Sequence, residues 1–314
     1  MEVLILEGGY NEEHEVSLVT ARQVKKVLKK NQINYKSLVV NPKTFEKDIR
    51  KYKKNYICFN ALHGPFGEDG KIQKILKKHS FKYTHSGIYS SKICFSKAKS
   101  KKKLSDYKIL TPNFSEIKLD KLNEKTILKF KKKFNKFIVK PNQSGSSFGI
   151  KIVKNKSDLV NLLQNLKKYK IELQNHKSLL FEEFVDGKEL TVSVIHSQNI
   201  YQPLAVTEII SKNSFFDYKS KYSKGYSKHI LPARIPNSIY NKCLNYASVA
   251  HKVLKCNAIS RTDLIYNKNN NKVYYLETNT QPGLTPISLV PEQAKYKNFS
   301  FENIIMKILN KTNE

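Results

Sequence analysis

Short apolar strands alternate with amphipathic helices through the first 85 residues of the chain. Three apolar runs predict strands: Val3–Leu6, Tyr35–Val40 and Tyr56–Ala61. Apolar side chains recur at helical spacing over about 13–30 and again over 70–79, which predicts helices after the first and third strands. Because such alternation builds a parallel sheet, we expect an α/β unit that binds ligands at the carboxyl ends of its strands.

The pattern changes near residue 86, and five further runs predict strands: Phe137–Lys140, Ile150–Val153, Leu179–Phe184, Leu190–Ile195 and Leu204–Ile209. Helices are expected near 157–170 and 238–255. We therefore predict three domains, 1–85, 86–178 and 179–314. The polar segment 211–232 is too long for an ordinary connection, so we predict that it is a functional lid.

The most informative segment is a predicted β-hairpin, in which Ile259–Tyr266 and Val273–Thr280 flank a turn-forming cluster. If the turn is centred on Asn270, two cross-strand pairs face each other: Asp263 with Glu277, and Arg261 with Asn279. Facing carboxylates repel unless a cation lies between them. This set of oxygen ligands suits Mg²⁺, which shares its coordination sites with water and phosphate oxygens. We predict a metal site here, with an exposed polar face as the alternative.

A loop of small residues, Lys140–Gly149, joins two of the predicted strands. Backbone N–H groups in such a loop can approach phosphate oxygens, and Lys140 adds positive charge. The loop alone is equally consistent with an ordinary turn, but beside a metal site we interpret it as nucleotide-binding. Three glutamates near these strands offer acceptors to an adenosine, or are surface charge: Glu182, Glu183 and Glu189.

Three of the chain's 11 glycines lie in the segment His63–Gly70. This density of glycine indicates a loop whose backbone approaches another group closely. Asp69 is predicted to cap the following helix. His63 is predicted to contact the substrate, with a satisfied strand-end histidine as the alternative.

The chain is strongly basic, with 57 Lys+Arg against 26 Asp+Glu and a net charge of +31. Only four of the basic residues are arginine, whose guanidinium group is the usual bidentate donor to bases and phosphates. The lysines are spread along the chain in short runs such as Lys101–Lys103. We interpret them as solvated surface lysines and expect no nucleic-acid partner.

Composition argues against several other classes of protein. An apolar fraction of 39% with 18 Tyr and 16 Phe is too high for a disordered chain. No run approaches the roughly 20 apolar residues of a membrane span, and the N-terminus does not resemble a signal peptide. The four cysteines show no metal-binding spacing, so we expect free, mostly buried thiols of a reducing cytoplasm.

Taken together, these residues resemble the D-alanine–D-alanine ligases of the ATP-grasp superfamily, nearly from end to end. The matching stretches are 8–18, 63–73, 83–87, 139–149, 182–191, 216–222, 261–263 and 276–291. The resemblance implies a three-domain α/β (α+β) ATP-grasp fold with an N-terminal Rossmann-like parallel-sheet domain. ATP would lie between the second and third domains.

The resemblance also implies roles for individual residues. ATP would be bound by Lys97, Lys140, Ser147 of the 145–149 loop, Glu182, Val185 and Glu189. Two Mg²⁺ ions, replaceable by Mn²⁺, would be held by Asp263, Glu277 and Asn279. Glu13, linked to Ser146 and Tyr222, would meet the ammonium of the first D-alanine. Lys221, Ser288 and Leu289 would receive the carboxylate of the second. Arg261 and the amide of Gly283 would hold an oxyanion.

The implied reaction joins two D-alanines through an acyl phosphate at the expense of ATP, for peptidoglycan precursor synthesis. The alternative is a ligase that makes D-alanyl-D-lactate, although the implied pair Lys221-Tyr222 favours an amine nucleophile. A cytoplasmic homodimer is expected from the resemblance. Three residues depart from the family pattern: His85 and Ser260 stand where glycine is usual, and Ser96 stands where aspartate is common.

Overall fold

The computed structural model describes residues 1–145, 148–197, 200–211 and 227–313. Its first four strands are β1 (Glu2–Gly8), β2 (Asn34–Val40), β3 (Tyr56–Asn60) and β4 (Lys82–Tyr83), and its first three helices are α1 (His14–Lys30), α2 (Phe45–Ile49) and α3 (Lys71–Lys78). These strands form one parallel sheet in the order β2-β1-β3-β4. The predicted α/β unit is confirmed, and loops 9–13 and 61–70 leave the carboxyl ends of β1 and β3.

The second sheet is antiparallel and follows two consecutive helices, α4 (Ile88–Phe95) and α5 (Lys97–Ser105). Its strands are β5 (Phe114–Lys118), β6 (Phe137–Pro141), β7 (Lys151–Val153) and β8 (Ser178–Glu183), in the order β5-β8-β6-β7. Its helices are α6 (Glu124–Phe134), α7 (Lys156–Gln164) and α8 (Leu166–Glu172). The single helix expected near 157–170 is therefore two helices, with Asn165 ending one and beginning the next. Strand β8 pairs with β5 and β6, although the proposed division at residue 178 assigns most of it to the third domain.

The third sheet has five strands in the order β11-β10-β9-β12-β13. They are β9 (Lys188–Ser197), β10 (Ile200–Ser211), β11 (Ser227–Ile230), β12 (Ile259–Asn267) and β13 (Lys272–Asn279). The helices of this part are α9 (Asn237–Val253), α10 (Leu289–Tyr296) and α11 (Phe301–Leu309). The expectation of loop throughout 211–232 is wrong at its end, because β11 pairs with β10 there. Residues 212–226 of the expected lid lie outside the described residues.

One hydrophobic core joins the first and third sheets. Val3 and Ile5 of β1 share this core with Ile195, Leu204 and Ile305. Burial of apolar surface is the main force that holds such elements together. The N-terminal sheet is therefore packed directly onto the part of the chain that carries the β12–β13 hairpin.

The lysines do not all lie in solvent as expected. Lys97, Lys101 and Lys140 are buried, with Lys101 fully inaccessible. The four cysteines are buried and free, as expected. None of the helices in the described part of the chain is long and apolar enough to span a membrane.

Candidate active site

The hairpin β12–β13 has the cross-strand pairs that the sequence predicts. Arg261 lies opposite Asn279, and Asp263 lies opposite Glu277. Asn267 and Lys272 form the last pair before the turn, so the centre of the turn lies half a residue before the expected centre at Asn270. An irregularity in the pairing after Asp263 compensates for this shift, so the predicted pairs still face each other. The side-chain alternation of strands then directs Arg261 and Asp263 to one face.

Two cations of the chain compensate the facing carboxylates. Arg261 donates from Nε to Oδ1 of Asp263 at 2.9 Å and from Nη2 to Oδ2 at 2.8 Å. Thr191 donates a third hydrogen bond to this carboxylate at 2.7 Å. Lys97 Nζ lies 3.1 Å from Oε2 of Glu277. Each carboxylate therefore has a cationic partner, which removes the repulsion expected across the ladder.

A polar cleft collects residues from all three parts of the chain. Its lining includes Glu13 and His63 from the first part, Lys97 and Gly145 from the second, and four residues of the third: Arg261, Glu277, Asn279 and Gly283. These residues are far apart in the sequence, so the cleft exists only through packing of the three sheets. Seven of these eight residues are candidate site residues named in the sequence analysis. The eighth, Gly145, belongs to the predicted nucleotide-binding loop.

Glu13 is buried at the amino end of α1, where two glycines approach its carboxylate. A Cβ at Gly64 would lie 2.5 Å from Oε2 of Glu13, and a Cβ at Gly145 would overlap the same oxygen. Asn11 accepts a hydrogen bond from the Glu13 amide at 2.8 Å and donates to the His63 carbonyl at 2.9 Å. The glycines are needed here because two loops close on one carboxylate.

Both ring nitrogens of His63 have partners within the protein. Nδ1 lies 3.2 Å from the carbonyl oxygen of Gln281, which can only accept, so Nδ1 carries a proton. In the neutral ring, Nε2 then accepts from Thr20 Oγ1 at 3.0 Å. His63 lines the cleft, but its contacts match those of a satisfied strand-end histidine, the alternative stated for it.

Gln281 is a connecting residue that the sequence did not single out. Its backbone N–H donates to Oδ1 of Asn279 at 2.6 Å, and its side-chain amide donates to the carbonyl of Asn60 at the end of β3. With the His63 contact, Gln281 thus joins the first sheet to a proposed metal ligand. Nothing in its local sequence signals this, because all of its partners except Asn279 are more than 200 residues away.

A second cavity of about 210 Å³ lies between the second and third sheets. Its apolar walls come from both sheets and include Ile138, Ile152, Val185, Leu264 and Leu276. Six polar side chains named from the sequence also line it: Lys97, Lys140, Glu182, Glu189, Asp263 and Glu277. Apolar walls with a few convergent polar groups suit a flat heteroaromatic ring such as adenine.

Glu182 is held in this cavity by two lysines. Lys101 Nζ lies 3.0 Å from Oε2 of Glu182, and Lys140 Nζ lies 3.2 Å from Oε1. Burial by itself would raise the pKa of Glu182, but the two ammonium groups outweigh it and hold the pKa below its usual value. Burial lowers the pKa of Lys101 to about 8, against the opposing attraction of Glu182.

The remaining candidates are placed in different ways. Glu183 accepts from Asn113 at 2.7 Å on the outside of the cavity, so its carboxylate does not join Glu182. Ser288 accepts from the Thr285 amide at 3.1 Å beside Gly283, and the buried Leu289 begins α10. Four candidates lie outside the described residues: Ser146, Ser147, Lys221 and Tyr222.

The donor set at the hairpin fits Mg²⁺ only together with further oxygen ligands. In the described part of the chain, no group of three or more His, Cys, Asp and Glu side chains could hold a metal ion. The hairpin offers two carboxylates and the amide oxygen of Asn279. Mg²⁺ accepts such a set when water and phosphate oxygens complete its octahedron.

The three departures from the family pattern have local explanations. His85 adopts φ of +67°, in the left-handed region that favours glycine, and burial lowers its pKa to about 3. Ser96 caps α5 by accepting from the Lys99 amide at 3.4 Å. Ser260 lies 2.8 Å from Nδ1 of the buried His251, on the face of β12 opposite to Arg261. None of the three removes a side chain from the cleft.

Two antiparallel sheets that enclose an adenine-sized cavity, with an acidic hairpin in its wall, define the ATP-grasp class. The family model described as "D-ala D-ala ligase C-terminus" matches residues 104–310. The chain belongs to the D-alanine–D-alanine ligase family.

Individual relatives match over nearly the whole chain. A D-alanine–D-alanine ligase of Pelagibacter ubique is 40% identical over 98% of this chain and 97% of its own length. A ligase of the same name from Wolbachia pipientis wMel is 36% identical over 98% of this chain and 93% of its own. The crystal structure of the Bacillus anthracis D-alanine–D-alanine ligase complexed with ATP superimposes with a TM-score of 0.79 at 26% identity, covering 99% of this chain and 96% of that one.

Proposed function

We propose that the protein joins two D-alanine molecules to D-alanyl-D-alanine while converting ATP to ADP and phosphate. One observation carries the proposal. Lys97, Ser144 and Glu277 line both the cleft and the adenine-sized cavity, so the two spaces meet at the hairpin. A nucleotide in the cavity would therefore extend its phosphates towards Glu13 and Arg261.

In the first step, a carboxylate oxygen of the first D-alanine attacks the γ-phosphorus of ATP. The bond from that phosphorus to the β-phosphate oxygen breaks, giving an acyl phosphate and ADP. Glu13 pairs with the ammonium of this D-alanine. Lys97 and Lys140 offset the charge of the transferring phosphoryl group. Asp263, Glu277 and Asn279 would hold Mg²⁺, or Mn²⁺ in its place, and such an ion would supply further charge neutralisation.

In the second step, the amine of the second D-alanine attacks the acyl carbon. The tetrahedral oxyanion is stabilised by the guanidinium of Arg261 and the amide of Gly283. The attacking nitrogen gives up one proton to solvent, and phosphate leaves with the electron pair of the acyl C–O bond, which forms the amide. Ser288, Leu289 and Lys221 are proposed to receive the carboxylate of this D-alanine.

Ser146 and Tyr222 are proposed to link with Glu13 when the 211–232 segment covers the site. A closed site protects an acyl phosphate because it excludes water. Ser147 is proposed to contact the triphosphate, and Val185 and Glu189 the adenosine. We further propose a homodimer in the cytoplasm that supplies the dipeptide for peptidoglycan precursors.

The D-lactate alternative is not favoured, because the similar proteins described above are ligases of two D-alanines. Coupled ADP release tests the choice. With ATP, Mg²⁺ and D-alanine alone, we expect steady turnover and a product with the mass of D-alanyl-D-alanine. Turnover that required added D-lactate would select the alternative, and no turnover with either would refute the proposal.

A further inference from the structure

Lys101 is the one lysine of the basic run Lys101–Lys103 that is fully buried. Its neighbour Lys102 is exposed, and Lys103 is partly exposed. A protonated lysine is removed from water only at a large cost unless partners satisfy it. The partners of Lys101 therefore indicate why the chain places it there.

Those partners lie on two different sheets. Lys101 donates to the carbonyl oxygen of Tyr275 on β13 at 3.0 Å, two residues before Glu277. It also lies 3.0 Å from Oε2 of Glu182 on β8. Lys101, on α5, thus connects the second sheet to the third at the wall of the proposed nucleotide cavity.

The charges of this cluster do not cancel. Glu182 is shared by Lys101 at one oxygen and Lys140 at the other, so two ammonium groups surround one carboxylate. Lys140 and Glu182 line the cavity, whereas Lys101 lies behind them at 0% exposure. The surplus positive charge of the cluster is therefore presented to the cavity by Lys140.

Without Lys101, Glu182 and Lys140 would form a simple ion pair of zero net charge. Coulombic interactions between groups this close and this buried are strong, since little water screens them. Lys140, which lies 3.2 Å from Glu182, would then be held by it more strongly and would attract a phosphate oxygen less. Lys101 prevents this by forming an ion pair with the other oxygen of Glu182.

We propose that Lys101 is a positioning residue of the nucleotide site. Because Lys101 shares Glu182 with Lys140, the positive charge of Lys140 is not fully neutralised and remains available to the phosphates of ATP. The proposal rests on the proposed function only in taking the cavity as a nucleotide site. It requires no contact between Lys101 and the nucleotide.

The test compares charge removal with charge restoration. Lys101→Met leaves a neutral Glu182–Lys140 pair, whereas Lys101→Met combined with Glu182→Gln again leaves Lys140 with a net positive charge. Glutamine keeps an oxygen acceptor for the adenine amino group. Lys102→Met, on the exposed side of the same helix, is the matched control. Mg·ADP binding is measured by calorimetry without D-alanine, and steady-state kinetics are measured separately.

For Lys101→Met we expect the Kd of Mg·ADP and the KM of ATP to rise about 10-fold or more, while the KM of D-alanine changes less than about twofold. The double variant should recover Mg·ADP binding to within about threefold of the unmodified protein. Lys102→Met should bind as the unmodified protein does.

Unchanged Mg·ADP binding in Lys101→Met would overturn the proposal. Equal losses in the single and double variants would also overturn it, because a merely structural cross-link is absent from both. If Lys101→Met does not fold, Lys101→Gln replaces it, since it lacks the charge but can still donate to Tyr275. A protein that binds Mg·ADP but does not consume D-alanine would refute the proposed function and leave the test of Lys101 intact.

Discussion

Arg261 forms a two-pronged ion pair with Asp263, two residues further along the same strand, with N–O distances of 2.9 and 2.8 Å. The residue proposed to stabilise the oxyanion is thus paired with a residue proposed to bind metal. On the other strand of the hairpin, Glu277 forms an ion pair at 3.1 Å with Lys97, the first residue of α5. The cations and carboxylates of the proposed reaction therefore hold each other in place.

Arg261→Ala should reduce kcat about 10²- to 10³-fold, because it removes a charged donor for the oxyanion. The Kd of Mg·ADP should change less than about threefold, since Arg261 does not line the nucleotide cavity. Steady-state kinetics measure kcat, and calorimetry measures the Kd of Mg·ADP. Near-normal turnover would remove Arg261 from the oxyanion site.

Glu277→Gln should weaken metal binding, because one of the two proposed carboxylate ligands loses its charge. The Mg²⁺ concentration for half-maximal activity should rise about 10-fold. Mn²⁺ binding, followed by electron paramagnetic resonance in the presence of ADP, should weaken in parallel. Glu46→Gln, at the centre of a surface ion-pair cluster with Arg50, Lys78 and His79, is the matched control. An unchanged Mg²⁺ titration would contradict the metal assignment.

Gly145→Ala should displace the carboxylate of Glu13, because the added Cβ would overlap its Oε2. We expect the KM of the first D-alanine to rise about 10-fold, with Mg·ADP binding retained. Gly87→Ala is the control, since its Cβ would meet the nearest atom at an ordinary 3.6 Å. Equal kinetics of the two variants would argue against a role for Glu13 in binding D-alanine.

His251 should make the protein less stable in acid. Burial lowers its pKa to about 3, while the unfolded chain has a histidine pKa of about 6.5. The unfolded state therefore binds one more proton between these values, and the free energy of unfolding falls as the pH drops below 6.5. Between pH 7 and pH 5 this group accounts for about 2 kcal/mol.

Urea unfolding at the two pH values measures this loss. His251→Gln can still form a hydrogen bond with Ser260 but does not titrate. In this variant, the loss of stability between pH 7 and pH 5 should be smaller by about 2 kcal/mol. The same loss in the variant and the unmodified protein would show that His251 does not contribute.

Local patterns were sufficient for most of the strands and for the cross-strand pairs of the β12–β13 hairpin. The pairing of Asp263 with Glu277 follows from strand alternation and a turn-forming cluster, which are properties of adjacent residues. The half-residue shift of the turn was not visible in the sequence, because the compensating irregularity after Asp263 is a feature of the folded β12–β13 ladder. Glu183 was indistinguishable from Glu182 for a similar reason, since only the pairing of β8 determines which of them lines the cavity.

The sequence by itself determined the alternation of strands and helices, the facing carboxylates of the hairpin and the glycine-rich loops around the site. The tertiary structure alone decided that Lys101 is buried, that Gln281 joins the first sheet to Asn279, and that Arg261 pairs with Asp263. Helix α5 carries lysines on several faces, so its periodicity does not distinguish the buried one. That choice depends on Glu182 and Tyr275, which are 81 and 174 residues away in sequence and come close only when the sheets pack.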